Sequence, residues 1–413
     1  MSFKTSVQSY FRETAEINKK RLKKIVLNAA FWFILAAVVL IAIGSIRIAV
    51  LTRARSEQYM AEVWGQTGDT LFRQVSVFAR GSRSSGMTSP MMYTENNISL
   101  RKSDIPLIRA SLQSAVDTGI EGRNKGLNTD GSPKGWEDCY STTYQASVSE
   151  VTASDTETVN TIDGVEIVGI GGNFKAFHPF RYLSGGFLPE EVDDRYQIVL
   201  NDVLAWRFFN SYNVTGNKVS IGGVEFTVIG VVEEGTSSVD KMVGTTEPRA
   251  YIYFDTIDII CSQENAAADD ELTDPELDDG ESKTVAIQCY EAILPELVRG
   301  VANTDIKNAL PEYSINDPQM YVVSNTDRFS VGQIWKWVFP IGENSYKLSG
   351  YEFPYWETAA QITTDKIAID AVLIISGSVL LIAGTLMAVL RSRKFNKAIE
   401  AEETQDKTAE DSL

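Results

Sequence analysis

Two apolar runs, one near each end, constrain this chain more than any other feature. Ile25 to Ile46 (IVLNAAFWFILAAVVLIAIGSI) and Ala371 to Leu390 (AVLIISGSVLLIAGTLMAVL) carry no charged residue. At about 1.5 Å per residue, each can cross a hydrocarbon core of about 30 Å as a helix. Lys19, Lys20, Arg21, Lys23 and Lys24 precede the first run, and Arg391, Arg393, Lys394 and Lys397 follow the second. Basic flanks mark the cytoplasmic side of a membrane. Both termini are therefore expected in the cytoplasm and the central residues outside, across a bacterial cytoplasmic membrane. A cleaved signal peptide is the competing reading of the first run. The length of the run, and Arg47 followed by Leu51-Thr52-Arg53-Ala54-Arg55, argue against a cleavage site.

The expected organisation follows from these spans. Residues 1–24 form a basic cytoplasmic N-terminus, 25–46 and 367–390 the two transmembrane helices, 47–366 an extracytoplasmic domain, and 391–413 a cytoplasmic tail that is polar and acidic from Glu400 to Leu413. Phe3, Val7, Tyr10 and Phe11 share one helical face, which fits a short helix lying on membrane lipid or meeting a cytoplasmic partner. Small residues recur on one face of each span: Ala30, Ala37 and Gly44 in the first, and Gly377, Gly384 and Ala388 in the second. Such faces let helix backbones approach closely in lipid, so they are candidates for helix pairing. The abundance of Ala and Gly in membrane helices is the plainer explanation.

The central region reads as α+β. Gln74 to Ala79 alternates like a strand, and Arg55 to Phe72 reads as a helix continuing outward from the first span. Ser103-Asp104 precedes a helix with Ile105, Ile108, Leu112 and Val116 on its apolar face. Gly119 to Lys134 reads as a loop, and Tyr144 to Glu150 and Val165 to Ile170 as strands. Ile198 to Leu200 is a strand running into a helix capped by Asn201 or Asp202. Lys218 to Ile221 and Glu225 to Val232 flank Gly222-Gly223, a hairpin signal.

The net charge of −17 argues against nucleic acid as a partner. No phosphate-binding loop is present: Gly81 to Gly86 (GSRSSG) is followed by Met87, with no lysine to hold a phosphate. One histidine and three cysteines leave little from which to build a catalytic or metal site, and none is expected. His178 sits in the apolar run FKAFHPF and reads as a packed residue. Residues 264–282 are strongly acidic and read as a mobile loop, with calcium binding a weaker alternative. Cys261 and Cys289 bracket this loop and could close it by a disulfide; three free thiols is the other reading. Residues 333–356 are rich in aromatics. Trp335, Trp337, Tyr351, Tyr355 and Trp356 are candidates for partner or membrane-interface contacts, an aromatic belt or a small satellite core.

The order FKAFHPFRYLSGGFLPEE, IVLNDVLAWRFF, GNKVSIGGVEFTVIGVV and EPRAYIYFDT resembles the periplasmic core domain of MacB-type ABC transporter permeases, the MacB, LolC and FtsX-related group. Gly185-Gly186 stands where that group has an arginine. The resemblance implies a MacB-like core with porter-like strand–helix–strand units near each end, continuing through Thr284 to Ile293, Asp305 to Leu310 and Tyr321 to Ser324. It implies a non-catalytic subunit that handles a lipid, peptide or drug, with ATP hydrolysed by a separate ABC ATPase. Permeases of the group have four spans and this chain has two, so it resembles a permease lacking two helices, and a four-helix MacB/FtsX-type permease is an expected partner. A membrane-anchored binding or sensing protein without an ATPase, or an FtsX-like regulator of a cell-wall hydrolase, are the alternatives.

Overall fold

The computed structural model describes residues 29–65, 71–80, 83, 86–93, 99–119, 135–151, 160–190, 193–269, 284–296, 298–311, 320–338 and 351–410. The expectations for residues 3–11, for nearly all of Gly119 to Lys134, and for residues 270–282 of the acidic segment lie outside the described residues. The chain divides into two compact units: residues 1–51, 334–344 and 365–413, and residues 52–333 and 345–364.

The first unit contains two helices long and apolar enough to cross a membrane. One is Ala29–Arg53; the other is the apolar part of the helix Tyr355–Glu410, whose first turns belong to the second unit.

The second unit is the α+β domain. Its first half runs α1 (Met60–Gly65), β1 (Phe72–Ala79), β2 (Leu100–Arg101), α2 (Ile105–Gly119), β3 (Glu137–Glu150), β4 (Thr161–Gly172), α3 (Phe174–Phe177) and β5 (Arg181–Gly185). Then follow β6 (Gln197–Asn201), α4 (Asp202–Phe209), β7 (Lys218–Ile221), β8 (Val224–Glu233), α5 (Ser238–Met242), β9 (Arg249–Tyr253), α6 (Phe254–Asp269), β10 (Ala286–Ile287), β11 (Cys289–Pro295), α7 (Val301–Ala309) and β12 (Met320–Ser324).

Two strand–helix–strand units, β1–α2–β3 and β11–α7–β12, interleave in the order β12-β1-β11-β3 with every neighbour antiparallel. This is the split βαβ arrangement, and α2 and α7 pack against each other. The second subassembly is a closed circuit of pairings, β3–β4–β9–β6–β8–β7 and back to β3. Closure removes strand edges. β3 serves both halves: Glu137 to Ser141 pair with β11, and Val148 to Glu150 with β7. An irregularity between Ala146 and Val148 lies between the two pairings, as a bulge does where a strand bends.

Alternation along the strands builds two cores. In β9, Ala250 and Ile252 enter the first and Tyr251 and Tyr253 the second. In β11, Tyr290, Ala292 and Leu294 enter the first, Cys289 and Ile293 the second. Helices cover the first core through Ile108 and Leu112 of α2, Leu204 of α4, Ile257 of α6 and Ile306 of α7. The second is covered by Ala61, Phe174, Phe177, Leu188 and Trp356.

Local chemistry explains the elements read correctly. Asn201 Oδ1 accepts from the Leu204 amide at 2.9 Å and caps α4. Gly222 and Gly223, at φ 55° and 82°, make the tight turn between β7 and β8 that requires two positive-φ residues. Two readings are corrected. Arg55 to Phe72 is not one helix: the first apolar helix ends at Arg53, a 3₁₀ turn covers Ser56–Gln58, α1 is short, and β1 begins at Phe72. The break turns Arg55 inward, where its charge is buried against Asp240. Glu264 to Asp269 form the last turns of α6 rather than the start of a loop.

Candidate functional site

Within the first unit, the small residues meet the facing helix. A Cβ at Gly44 would lie 2.7 Å from Ile374 Cγ1 and 3.0 Å from the Asp370 carbonyl. At Gly377 it would lie 2.9 Å from Ile41 Cγ1 and 3.0 Å from the Ala37 carbonyl, and at Gly384 2.8 Å from Ile34 Cγ1. The contacts run in opposite directions along the two helices, so the pair is antiparallel. Ala30 and Ala37 are buried, and Ala388 is half-buried. Gly377→Leu therefore forces the helices apart, at a cost of about 1–3 kcal/mol. The expected result is a lower midpoint when the full chain is unfolded by SDS; an unchanged midpoint would refute the contact. Beside Gly44, Arg47 Nε lies 2.8 Å from Asp370 Oδ1, with Asp370 fully buried and Arg47 exposed. Sequence reasoning used Arg47 only as evidence against a cleavage site and did not single out Asp370.

In the second unit, the segments adjoining these helices are tied into the domain by buried charge. Arg55 pairs with Asp240, which also caps α5 through the Ser237 capping box. Arg328 grips Glu357 through two bonds of 2.8 and 2.9 Å, and Gln361 donates to the same carboxylate at 2.7 Å. Glu357 stands in the first turn of Tyr355–Glu410, where a carboxylate also meets the positive end of the helix dipole. Arg328 also reaches Gln58 at 3.4 Å. Beside this, the Arg249 guanidinium lies 3.8 Å from the centre of the Tyr355 ring. Arg249 donates to Glu166 at 2.9 Å and pairs with Glu234. Tyr251 donates to Glu234 at 2.7 Å, leaving Tyr355 to donate to Tyr251 at 2.9 Å.

Arg249 thus faces two carboxylates. Burial pushes Glu234 from its ordinary 4.5 up to about 7, against the opposing pull of Arg249 and the Tyr251 hydrogen bond. A raised carboxyl holds its proton in the folded state where the unfolded chain has released it. Stability from this group is complete below about pH 4.5 and is lost as pH rises through about 7, by roughly 3 kcal/mol in total. Thermal melts should therefore fall between pH 5 and 8, and Glu234→Gln should flatten that slope; an equal slope in the variant would count against the assignment.

Among the readings left open for the aromatic run, this packing fits a satellite core for part of it. Tyr355 and Trp356 are internal: Trp356 meets Phe174 edge-on at 5.6 Å and His178 at 4.5 Å. Tyr351 packs on Tyr321 and Phe353 and lies under Arg80. Trp335, in the helix Val331–Val338 with Trp337, is exposed. The aromatic run covers the second core because its rings alternate onto Phe78, Tyr251 and Phe174. Of the two readings left open for Cys261 and Cys289, no disulfide joins them. Cys289 belongs to the second core and Cys261 packs against the first, so the two lie on opposite sides of the sheet.

Under Trp356, His178 Nε2 donates to Glu291 Oε2 at 2.6 Å, and the Cys139 thiol lies 3.9 Å from the same oxygen. Ser76 donates to Oε1 at 2.7 Å. Burial alone would raise Glu291, but the His178 charge and the hydrogen bonds from His178, Ser76 and Gln74 hold it below its ordinary value. His178 is thus packed, as expected, yet it joins a polar cluster that composition did not foretell. A cavity of about 90 Å³ beside it is lined by Arg55, Glu57, His178, Asp240 and Trp356. A second cavity, of about 210 Å³, is lined by Lys102, Arg109 and Arg195. Lys102 and Arg195 pair with Asp255 and Arg109 with Asp138, so these cations are already neutralised.

The family described as "MacB-like periplasmic core domain" matches residues 34–299. Among solved structures, the periplasmic region of MacB from Actinobacillus actinomycetemcomitans is similar at 14% identity and a TM-score of 0.35, over 61% of this chain and 88% of that one. The extracellular domain of the noncanonic ABC-type transporter YknZ from Gram-positive bacteria is similar at 13% identity and a TM-score of 0.34, over 60% of this chain and 99% of that one. No curated protein matches significantly.

Proposed function

Because this chain belongs to the MacB-like periplasmic core domain family, we propose that it is a non-catalytic membrane subunit of an ABC-type transporter complex. Its outer domain moves with a four-helix MacB/FtsX-type permease, driven by a separate ATPase, and acts on a lipid, peptide or drug. Both termini lie in the cytoplasm, which reporter fusions at each end would contradict if either proved external. The observation that carries the mechanical part is the Gln58–Arg328–Glu357 cluster. It joins the segment after the first apolar helix to the first turn of the helix that contains the second. A displacement at either segment is delivered to the loop after β12 through rigid, charge-paired contacts instead of being absorbed by a slack linker.

The test is affinity purification of the tagged full chain from its native membrane in mild detergent. An ATPase and a four-helix permease in fixed ratio support the reading. A lone chain or a homo-oligomer without an ATPase overturns it in favour of an anchored binding or sensing protein. A cell-wall hydrolase without a transporter overturns it in favour of an FtsX-like regulator.

A further inference from the structure

We propose that Cys139, His178 and Glu291 form a binding site for a thiophilic divalent cation of the zinc type. Among the described residues these three bring a sulfur, a ring nitrogen and a carboxylate oxygen within 4.8 Å of one another, all on buried side chains. They come from β3, the end of α3 and β11, so the fold and not local sequence assembles them. A thiolate, an imidazole and a carboxylate are the donor types that zinc takes, and three protein ligands leave a fourth position open.

The surroundings orient the donors as outer partners do in metal sites. Ser76 holds Glu291 Oε1, so Oε2 is the oxygen turned to both His178 and Cys139. Asn325 Nδ2 in turn donates to Ser76 Oγ at 2.8 Å. The His178 ring stacks on Phe174 at 4.2 Å, which fixes its plane. The 2.6 Å separation of His178 Nε2 and Glu291 Oε2 is that of a hydrogen bond. Two ligands of one tetrahedral zinc stand about 3.3 Å apart given metal–ligand bonds of about 2.0–2.1 Å. A cation therefore replaces the shared proton and opens this pair by a fraction of an ångström. It also displaces the Cys139 thiol proton, since the thiolate is the ligand form. His178 also lines the cavity of about 90 Å³, with Glu57 and Asp240 on its wall.

The experiment is a titration of the reduced full chain in detergent with Co²⁺, a spectroscopic stand-in for zinc, followed by competition with Zn²⁺. The expected result is one Co²⁺ per chain with a thiolate-to-cobalt charge-transfer band, bleached by Zn²⁺. Cys139→Ser abolishes the band, whereas Cys289→Ser and Cys261→Ser retain it. Ser76→Ala, which removes an outer partner, weakens Zn²⁺ binding about tenfold or more. Absence of the band in the unmodified chain overturns the proposal without reference to any variant. A band that survives Cys139→Ser in a folded variant, or that follows Cys289 or Cys261, overturns it as well.

Discussion

Arg328→Met should lower the stability of the outer domain by about 3–5 kcal/mol, the usual cost of stranding one member of a buried ion pair. Arg328 and Glu357 are both nearly inaccessible, at 6% and 1%. With the guanidinium gone, Glu357 retains, among the described residues, the Gln361 amide at 2.7 Å. The double change Arg328→Met with Glu357→Leu removes both charges and should recover much of the loss, because an apolar pair of similar volume needs no desolvation. The measurement is guanidinium unfolding of the full chain in detergent, followed by tryptophan fluorescence. If the single and double variants are equally destabilised, the cost is one of lost packing and the clamp is not electrostatic. The comparison bears on function too, since the double variant keeps the fold while removing the charged link between Gln58, Arg328 and the helix that begins at Tyr355.

The second large effect concerns the paired apolar helices. Arg47→Leu should cost about 3 kcal/mol, since Asp370 is left fully buried with neither of its oxygens accepting a hydrogen bond. Asp370→Asn should be milder, because Arg47 is 56% exposed and can turn its charge to water. The asymmetry is the diagnostic feature: SDS unfolding of the full chain should show Arg47→Leu well below Asp370→Asn. Equal midpoints would mean that the pair contributes little.

How much was legible follows a physical divide. Where one residue supplies its own local reason, the sequence sufficed: Asn201 caps its helix, Gly222-Gly223 turns its hairpin, and the Ile105–Ile108–Leu112 face marks α2. β3 was read only from Tyr144 onward. Its first half, EDCYSTTY, buries Asp138, Ser141, Thr142 and Thr143, and a buried strand this polar does not show hydrophobic alternation. The same cause hid the site chemistry. Glu291 looks like a surface residue in the strand CYEAILP until His178, Ser76 and Cys139 are brought to it from three separate elements. Likewise Tyr355 and Trp356 lie beside an apolar run and suggest an interface. Their partners Tyr251 and Phe174 are distant in sequence, so tertiary structure decides between an interface and the satellite core.

The position of β1 has a consequence for how the chain reaches this state. β1 lies between β11 and β12: Val75 pairs with Ala292 on one side and Ser324 on the other. The strand made earliest in the domain therefore waits for the two made last. While it waits, Val75, Val77 and Phe78 have neither a ladder partner nor a cover, and such an edge recruits other chains. Pairings this remote in sequence also form slowly. The domain should therefore depend on protection of its nascent N-terminal part, and an interruption of synthesis before Met320 should yield aggregates instead of a smaller folded domain.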